Sequence, residues 1–307
     1  MSLPARFWFK WQKLKSALRG VFGAQGQSYE TAHRMCPNCR GLIDRDASVC
    51  PLCGMRVKAP RARAGSAPER VLGGLIPVPS TATSALVAAN IVLYAVSWYL
   101  SQVAASGGGG IQARVLVGLG AKYGPLILAG EWWRLVTAIF LHAGLLHIGM
   151  NLWCLVDLGP TVESMFSTPK FIVLYLATGV AGFLLSVWWS PYGLSVGASG
   201  AILGLVGVLI GASYHHGHLG KEYRGQLWRW VIYIFLFGLL SAIFGFGLDN
   251  AAHLGGLASG ALLGYFVPQG EPATRAGDNL WNTLAVISVL IIAGSFVLMA
   301  LQLNRPL

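Results

Sequence analysis

Three groups of residues in this 307-residue chain could do chemistry. The first is built on Ser199, set in Val196-Gly197-Ala198-Ser199-Gly200 at the head of an apolar run from Ala201 to Ala212. A serine attacks only when a base takes its proton, and His253, in Asp249-Asn250-Ala251-Ala252-His253-Leu254-Gly255-Gly256, is the candidate base. Small residues around the serine permit close backbone approach and leave N–H groups beside it at a helix start. The second group is His147 and Asn151, four residues apart and hence on one helix face. With the Ser199 N–H they could bind the oxyanion of an acyl-transfer intermediate. No acid within a span orients His253, so the pair would be a dyad, and Asp249 precedes the helix and takes no catalytic role. The third group is Cys36-Pro37-Asn38-Cys39 and Cys50-Pro51-Leu52-Cys53, four thiolates that suit one closed, tetrahedral, structural zinc. Each group has a plainer reading alone. Gly-x-Ser-Gly can be a packing device, His and Asn in spans can be interhelical glue, and paired CxxC motifs can be redox centres or disulfides.

The elements that must position these residues are membrane helices. With 55% hydrophobic and 11% charged residues, the chain is too apolar for an ordinary soluble globule. Seven apolar runs are expected as spans: 82–104, 145–158, 171–189, 199–214, 230–248, 251–267 and 280–301. The run from Ser199 is short for a span, so its helix should begin inside the membrane. Gly200, Gly204, Gly207 and Gly211 on one run, and Gly256, Gly260 and Gly264 on another, form grooves of bare backbone, and Gly204 is expected to admit the helix of His253.

The net charge of +11 is concentrated at one end. Residues 1–70 hold thirteen Lys/Arg against four Asp/Glu, a net +9. Together with the basic loop from His215 to Arg229, this places the N-terminus in the cytoplasm, and seven spans then put the C-terminus outside. Nucleic-acid binding is the weaker reading of the charge. Residues 1–30 read as a basic amphipathic arm suited to a lipid surface, 31–58 as a zinc-ribbon-like module in a reducing compartment, and 59–80 as a linker. The long connection from Ala105 to Gly144 is too apolar to be solvated, and its Trp132 and Trp133 suit the headgroup level.

In their order along the chain, these motifs resemble the rhomboid intramembrane serine proteases. The likeness runs from about Gly118 to Val267. It includes Gly130-Glu131-Trp132-Trp133-Arg134-Leu135, Phe140-Leu141-His142 followed by His147 and Asn151, Gly159 with Glu163, Gly197-Ala198-Ser199-Gly200, and Ala252-His253-Leu254-Gly255-Gly256. The resemblance implies an all-α membrane protein with a six-helix catalytic core, here residues 81–268. Residues 269–307 would add a cytosolic loop and a seventh span. It further implies a Ser199–His253 dyad, oxyanion binding by His147 and Asn151, a structural loop around Trp133-Arg134, and Glu163 holding helices together. Substrates would be single-span membrane proteins reaching the site sideways through the lipid bilayer, with a cavity open to the outer face supplying water.

Two positions depart from the family pattern. Leu203 stands where some members place an aromatic ring against the histidine, and Lys122 stands where a neutral polar residue is common. The expected activity is an intramembrane serine endopeptidase in the plasma membrane of a bacterium, with zinc in the N-terminal module only. That module could serve a cytosolic protein partner. The rival is a non-catalytic relative that binds transmembrane clients, which would normally lack Ser199 or His253. A transporter would favour internal repeats, and none is visible.

Overall fold

The computed structural model describes residues 33–35, 42–44, 49–56, 80–104, 110–243, 248–272 and 274–302. The chain divides into two units, Met1–Val78 and Pro79–Leu307. In the first, β1 (His33–Met35) pairs antiparallel with β2 (Leu42–Asp44), with Arg34 opposite Ile43. A second turn is closed by the Cys50 N–H donating to the Met55 carbonyl at 2.8 Å and the Gly54 N–H to the Cys50 carbonyl at 2.9 Å. The arm over 1–30 and nearly all of the linker over 59–80 lie outside the described residues.

The second unit is helical. The long helices are α1 (Thr81–Ala104), α5 (Leu145–Phe166), α6 (Thr168–Trp189), α7 (Ser199–Ser213), α8 (Gly217–Ile243), α9 (Asn250–Phe266) and α10 (Arg275–Gln302). Three short helices occupy the connection after α1: α2 (Ala113–Gly118), α3 (Gly124–Leu128) and α4 (Arg134–Thr137), followed by a 3-10 turn over Ala138–Phe140. Among the described residues, Thr81–Val103, Leu145–Phe166, Thr168–Trp189 and Arg275–Gln302 are long and apolar enough to cross a membrane. The helices α7 and α9 are shorter, at 15 and 17 residues. The stretch from His215 to Arg229, expected as a basic loop, is largely the first half of α8.

Glu163 fastens the start of α1. Its carboxylate accepts from the N–H groups of Ala82 and Thr83 at 3.2 and 3.1 Å, from the Thr83 hydroxyl at 3.0 Å and from the Ser80 hydroxyl. A carboxylate there satisfies N–H groups that a helix cannot pair internally and complements its dipole. Arg134 does the same service for the loop before α5. Its guanidinium donates to Glu131 at 2.6 Å and to the Val117 carbonyl at 2.6 Å, and it lies 4.7 Å from the Trp133 ring centre. Of the two tryptophans expected at headgroup level, Trp133 is turned into the protein. It is buried with Leu116, Leu119, Leu141 and Met299, and only Trp132 is exposed.

The centre of the unit is the stack of α6, α7 and α9. Added Cβ atoms at Gly256, Gly260 and Gly264 would overlap the carbonyl oxygens of Gly200, Gly204 and Val208, so these backbones touch. On α7, Gly207 and Gly211 face α9 in the same way. Gly204 serves both neighbours: an added Cβ there would overlap Thr178 of α6, while its carbonyl oxygen and its Cα, the latter at 2.9 Å, crowd the position of a Cβ at Gly260, so it admits the helix of His253 as expected. The direction of its missing Cβ follows from helical geometry, since Gly204 and Gly207 point about 60° apart around the axis. Gly260→Ala is expected to destabilise the bundle by about 1–3 kcal/mol, the scale of overpacking. Gly294→Ala, where a Cβ meets nothing within 4 Å, should leave stability unchanged or slightly raised. Unfolding midpoints of both variants in one detergent check this, and equal midpoints would refute the close approach.

Candidate active site

Ser199 begins α7, and His253 lies in the first turn of α9. The Ser199 hydroxyl and His253 Nε2 are 2.8 Å apart, a hydrogen bond through which the ring can take the serine proton. The two groups are brought together by the glycine contact between their helices, because Gly200 follows Ser199 directly and meets Gly256, one turn beyond His253. The Asp249 carboxylate is engaged elsewhere. It accepts from the Ala252 N–H at 2.9 Å as the cap of α9, and from the Ser186 hydroxyl.

The first helical hydrogen bond of α7 runs from the Ile202 N–H to the Ala198 carbonyl at 2.9 Å. The N–H groups of Ser199, Gly200 and Ala201 therefore precede the ladder, where an anion is favoured. His147 reaches the same place. A Cβ at Gly197 would lie 2.7 Å from His147 Nε2, and Gly197 has φ +131°, so both the backbone and the space demand glycine. The His147 ring also meets the buried His142 ring edge-on, with centres 5.1 Å apart. Asn151 stands apart from the other three. Its amide donates to the His147 carbonyl at 2.9 Å, within its own helix, and it does not line the cavity beside Ser199.

That cavity holds about 270 Å3 and is lined by Ser199, His253, His147, Lys122, Asp249 and Ser186 among others. Two features around Ser199 and His253 were not legible as functional in the sequence. Lys122 carries its ammonium into the buried wall, where burial pushes its pKa below the usual lysine value and Asp249 partly offsets this. Phe235 of α8 presents its ring edge-on to His253, with centres 6.2 Å apart and an 85° angle. The aromatic contact missing at Leu203, which is buried in the core, thus comes from another helix. Nothing distinguishes Phe235 from its apolar neighbours in sequence. The Asp249 cap, by contrast, has a readable signature, an acid three residues before a helical N–H.

In the N-terminal unit, Cys50 is buried and Cys53 exposed at the turn closed by Gly54. Cys36 and Cys39 lie outside the described residues. Among the described residues, no group of three or more His, Cys, Asp or Glu could hold a metal.

Comparisons with known proteins agree in kind. The family described as Rhomboid domain matches residues 129–270. Rhomboid protease GluP of Bacillus subtilis (strain 168) is 34% identical over 195 residues, which are 62% of this chain and 36% of that protein. Rhomboid-like protease 3 of Toxoplasma gondii is 34% identical over 176 residues, 57% of this chain and 65% of that one. YdcA of Bacillus subtilis (strain 168), another protein named for the rhomboid family, is 34% identical over 142 residues, 46% of this chain and 69% of its own. This chain therefore spans about a third of the first of these relatives and about two thirds of the other two.

The ring contact on His253 has a measurable consequence. An edge-to-face pair is worth about 0.5–1.5 kcal/mol, so Phe235→Leu should slow labelling of Ser199 by a fluorophosphonate about two- to twelve-fold. An unchanged labelling rate would show that the ring does not hold the imidazole.

Proposed function

This chain belongs to the rhomboid family, and from that premise we propose that it is an intramembrane serine endopeptidase acting on single-span membrane proteins. The observation that carries the reading is the 2.8 Å contact of Ser199 with His253 at the wall of a cavity. Ser199 Oγ attacks the scissile carbonyl carbon while His253 Nε2 takes its proton. The oxyanion is met by the N–H groups at the start of α7 and by His147, and the part expected of Asn151 requires its amide to swing from its own helix into the cavity. His253 then gives its proton to the leaving amine, and a water activated by the same ring hydrolyses the acyl-enzyme.

The setting follows from the apolar helices, which make the chain an integral membrane protein. The seven long helices are read as seven spans, with the N-terminus cytoplasmic and the C-terminus outside, in the plasma membrane of a bacterium. At about 1.5 Å per residue α7 rises about 22 Å, less than the hydrocarbon thickness, so Ser199 sits below the outer surface. A substrate helix hides its carbonyls in its own hydrogen bonds, and segments with small or helix-breaking residues should be cut best.

The N-terminal unit is read as a zinc-binding module held by Cys36, Cys39, Cys50 and Cys53. The tight turn holding Cys50 and Cys53 suits one knuckle of such a site, and four thiolates would leave no open position for catalysis. The metal would supply folding energy to this small unit, whose attachment suits a cytosolic protein partner.

Ser199→Ala should abolish cleavage of a single-span substrate in liposomes without unfolding the protein, and undiminished turnover would sink the serine assignment. His147→Ala should lower the rate by a factor of about a hundred, the scale of one oxyanion donor. For the module, protein purified with reduced thiols should carry about one zinc per chain, lost in Cys50→Ser. Zinc-free protein with an intact N-terminal unit would end that reading.

A further inference from the structure

We propose that Lys122 is a positioning residue for the nucleophile: its ammonium clamps the turn over residues 190–195 from inside the cavity and thereby fixes where Gly197 and Ser199 are presented. The proposal rests on the protease reading of the site. Lys122 is 1% exposed, and its Nζ donates to the Ser190 carbonyl at 2.6 Å and the Gly193 carbonyl at 3.0 Å. Its backbone pairs with the same turn. The Lys122 N–H donates to the Ser195 carbonyl at 2.9 Å, and the Ser195 N–H returns to the Lys122 carbonyl at 3.1 Å. Two residues on, the Gly124 N–H donates to the Pro191 carbonyl at 2.8 Å. The turn leads straight into Gly197, whose N–H is held by the Ala138 carbonyl at 2.9 Å, and then into Ser199.

Charge strengthens the side chain in this task. Two carbonyl oxygens converge on one point, and an ammonium offers three donors and no acceptor, with bonds strengthened by charge. A buried charge is costly unless hydrogen-bonded, so a residue needed only to fill space there would be apolar. The groups that line the same cavity are Asp249 just before α9, His253 of α9, His147 of α5 and the Ser186 hydroxyl of α6, of which Asp249 acts on the ammonium by its charge, while Tyr192 of the turn is exposed. Burial lowers the pKa of Lys122 and Asp249 raises it in part. As pH rises, the ammonium loses its proton before an ordinary lysine does; the neutral amine keeps two N–H donors but loses the charge that strengthens both bonds, and the clamp loosens. Turnover should therefore fall on the alkaline side.

The test uses the full chain in liposomes with a single-span substrate, comparing the parent with Lys122→Met and Lys122→Arg. In Lys122→Met, kcat should fall about tenfold or more while KM stays within about twofold, the split expected when only the reacting geometry is disturbed. In Lys122→Arg, which stays charged, much of kcat should return and the alkaline limb should move up by at least about one pH unit. Full kcat in Lys122→Met, or an alkaline limb unmoved in Lys122→Arg, overturns the proposal. If Lys122→Met does not fold, the pH limbs of the parent and Lys122→Arg decide alone. Absence of Ser199-dependent turnover in the parent overturns the protease reading itself, and this proposal falls with it.

Discussion

The contact between the backbones of α7 and α9 is the constraint on which the rest of the unit depends. In lipid there is no hydrophobic force between helices, so association rests on van der Waals packing and close polar contact. Gly256, Gly260 and Gly264 provide it by meeting the carbonyl oxygens of Gly200, Gly204 and Val208 at a regular four-residue step. A repeated contact of this kind fixes register as well as distance. Slipping the pair by one turn would move His253 by about 5.4 Å, beyond hydrogen-bond reach of Ser199. The seal between the helices and the alignment of serine with histidine are one interaction.

The surrounding elements hold that pair from its sides. Helix α6 closes on both partners: a Cβ at Gly182 would stand 2.6 Å from the Ala252 carbonyl, and Gly204 abuts Thr178. The connection between α1 and α5 is built as a small folded body. Arg134 and Thr137 bond the carbonyls of Val117 and Gly120, and Trp133, Leu141 and Met299 share one cluster. Phe296 of α10 meets Phe140 with ring centres 5.7 Å apart, two residues before His142. The C-terminal helix thus packs on the segment that leads into the His147 helix, which gives it a place in the support of the site.

Much of this was legible in the sequence, because membrane helices confine chemistry to a few polar residues. Ser199, His253 and His147 stand out as costly groups in apolar runs, and the glycine spacing announces which runs can approach. What was hidden depends on direction around a helix or on contacts between distant segments. Gly204 belongs to the same periodic stripe as Gly207, yet the rotation of α7 turns it toward Thr178. Trp133 and Trp132 are adjacent and identical in type, and only the fold of their loop decides which is buried. Lys122 reads as a departure until the turn over 190–195 supplies its carbonyls. Asn151, chosen for sharing a face with His147, spends one amide N–H on its own helix.

The use of Asp249, close to Ser199 and His253, shows what the fold has to secure. His253 lies in the first turn of α9, and helix ends fray unless their N–H groups are satisfied. Asp249 accepts from the Ala252 N–H and is itself held by the Ser186 hydroxyl on α6, so the start of α9 is tied to its neighbour. An aspartate turned toward His253 Nδ1 would orient the ring but leave the turn that carries the ring without its cap. Here the ring is oriented by other means: the hydrogen bond to Ser199, the Phe235 edge, and a helix start that the capping acid keeps in place. The charge of Asp249 is thus used one turn before His253, on the backbone that positions the ring.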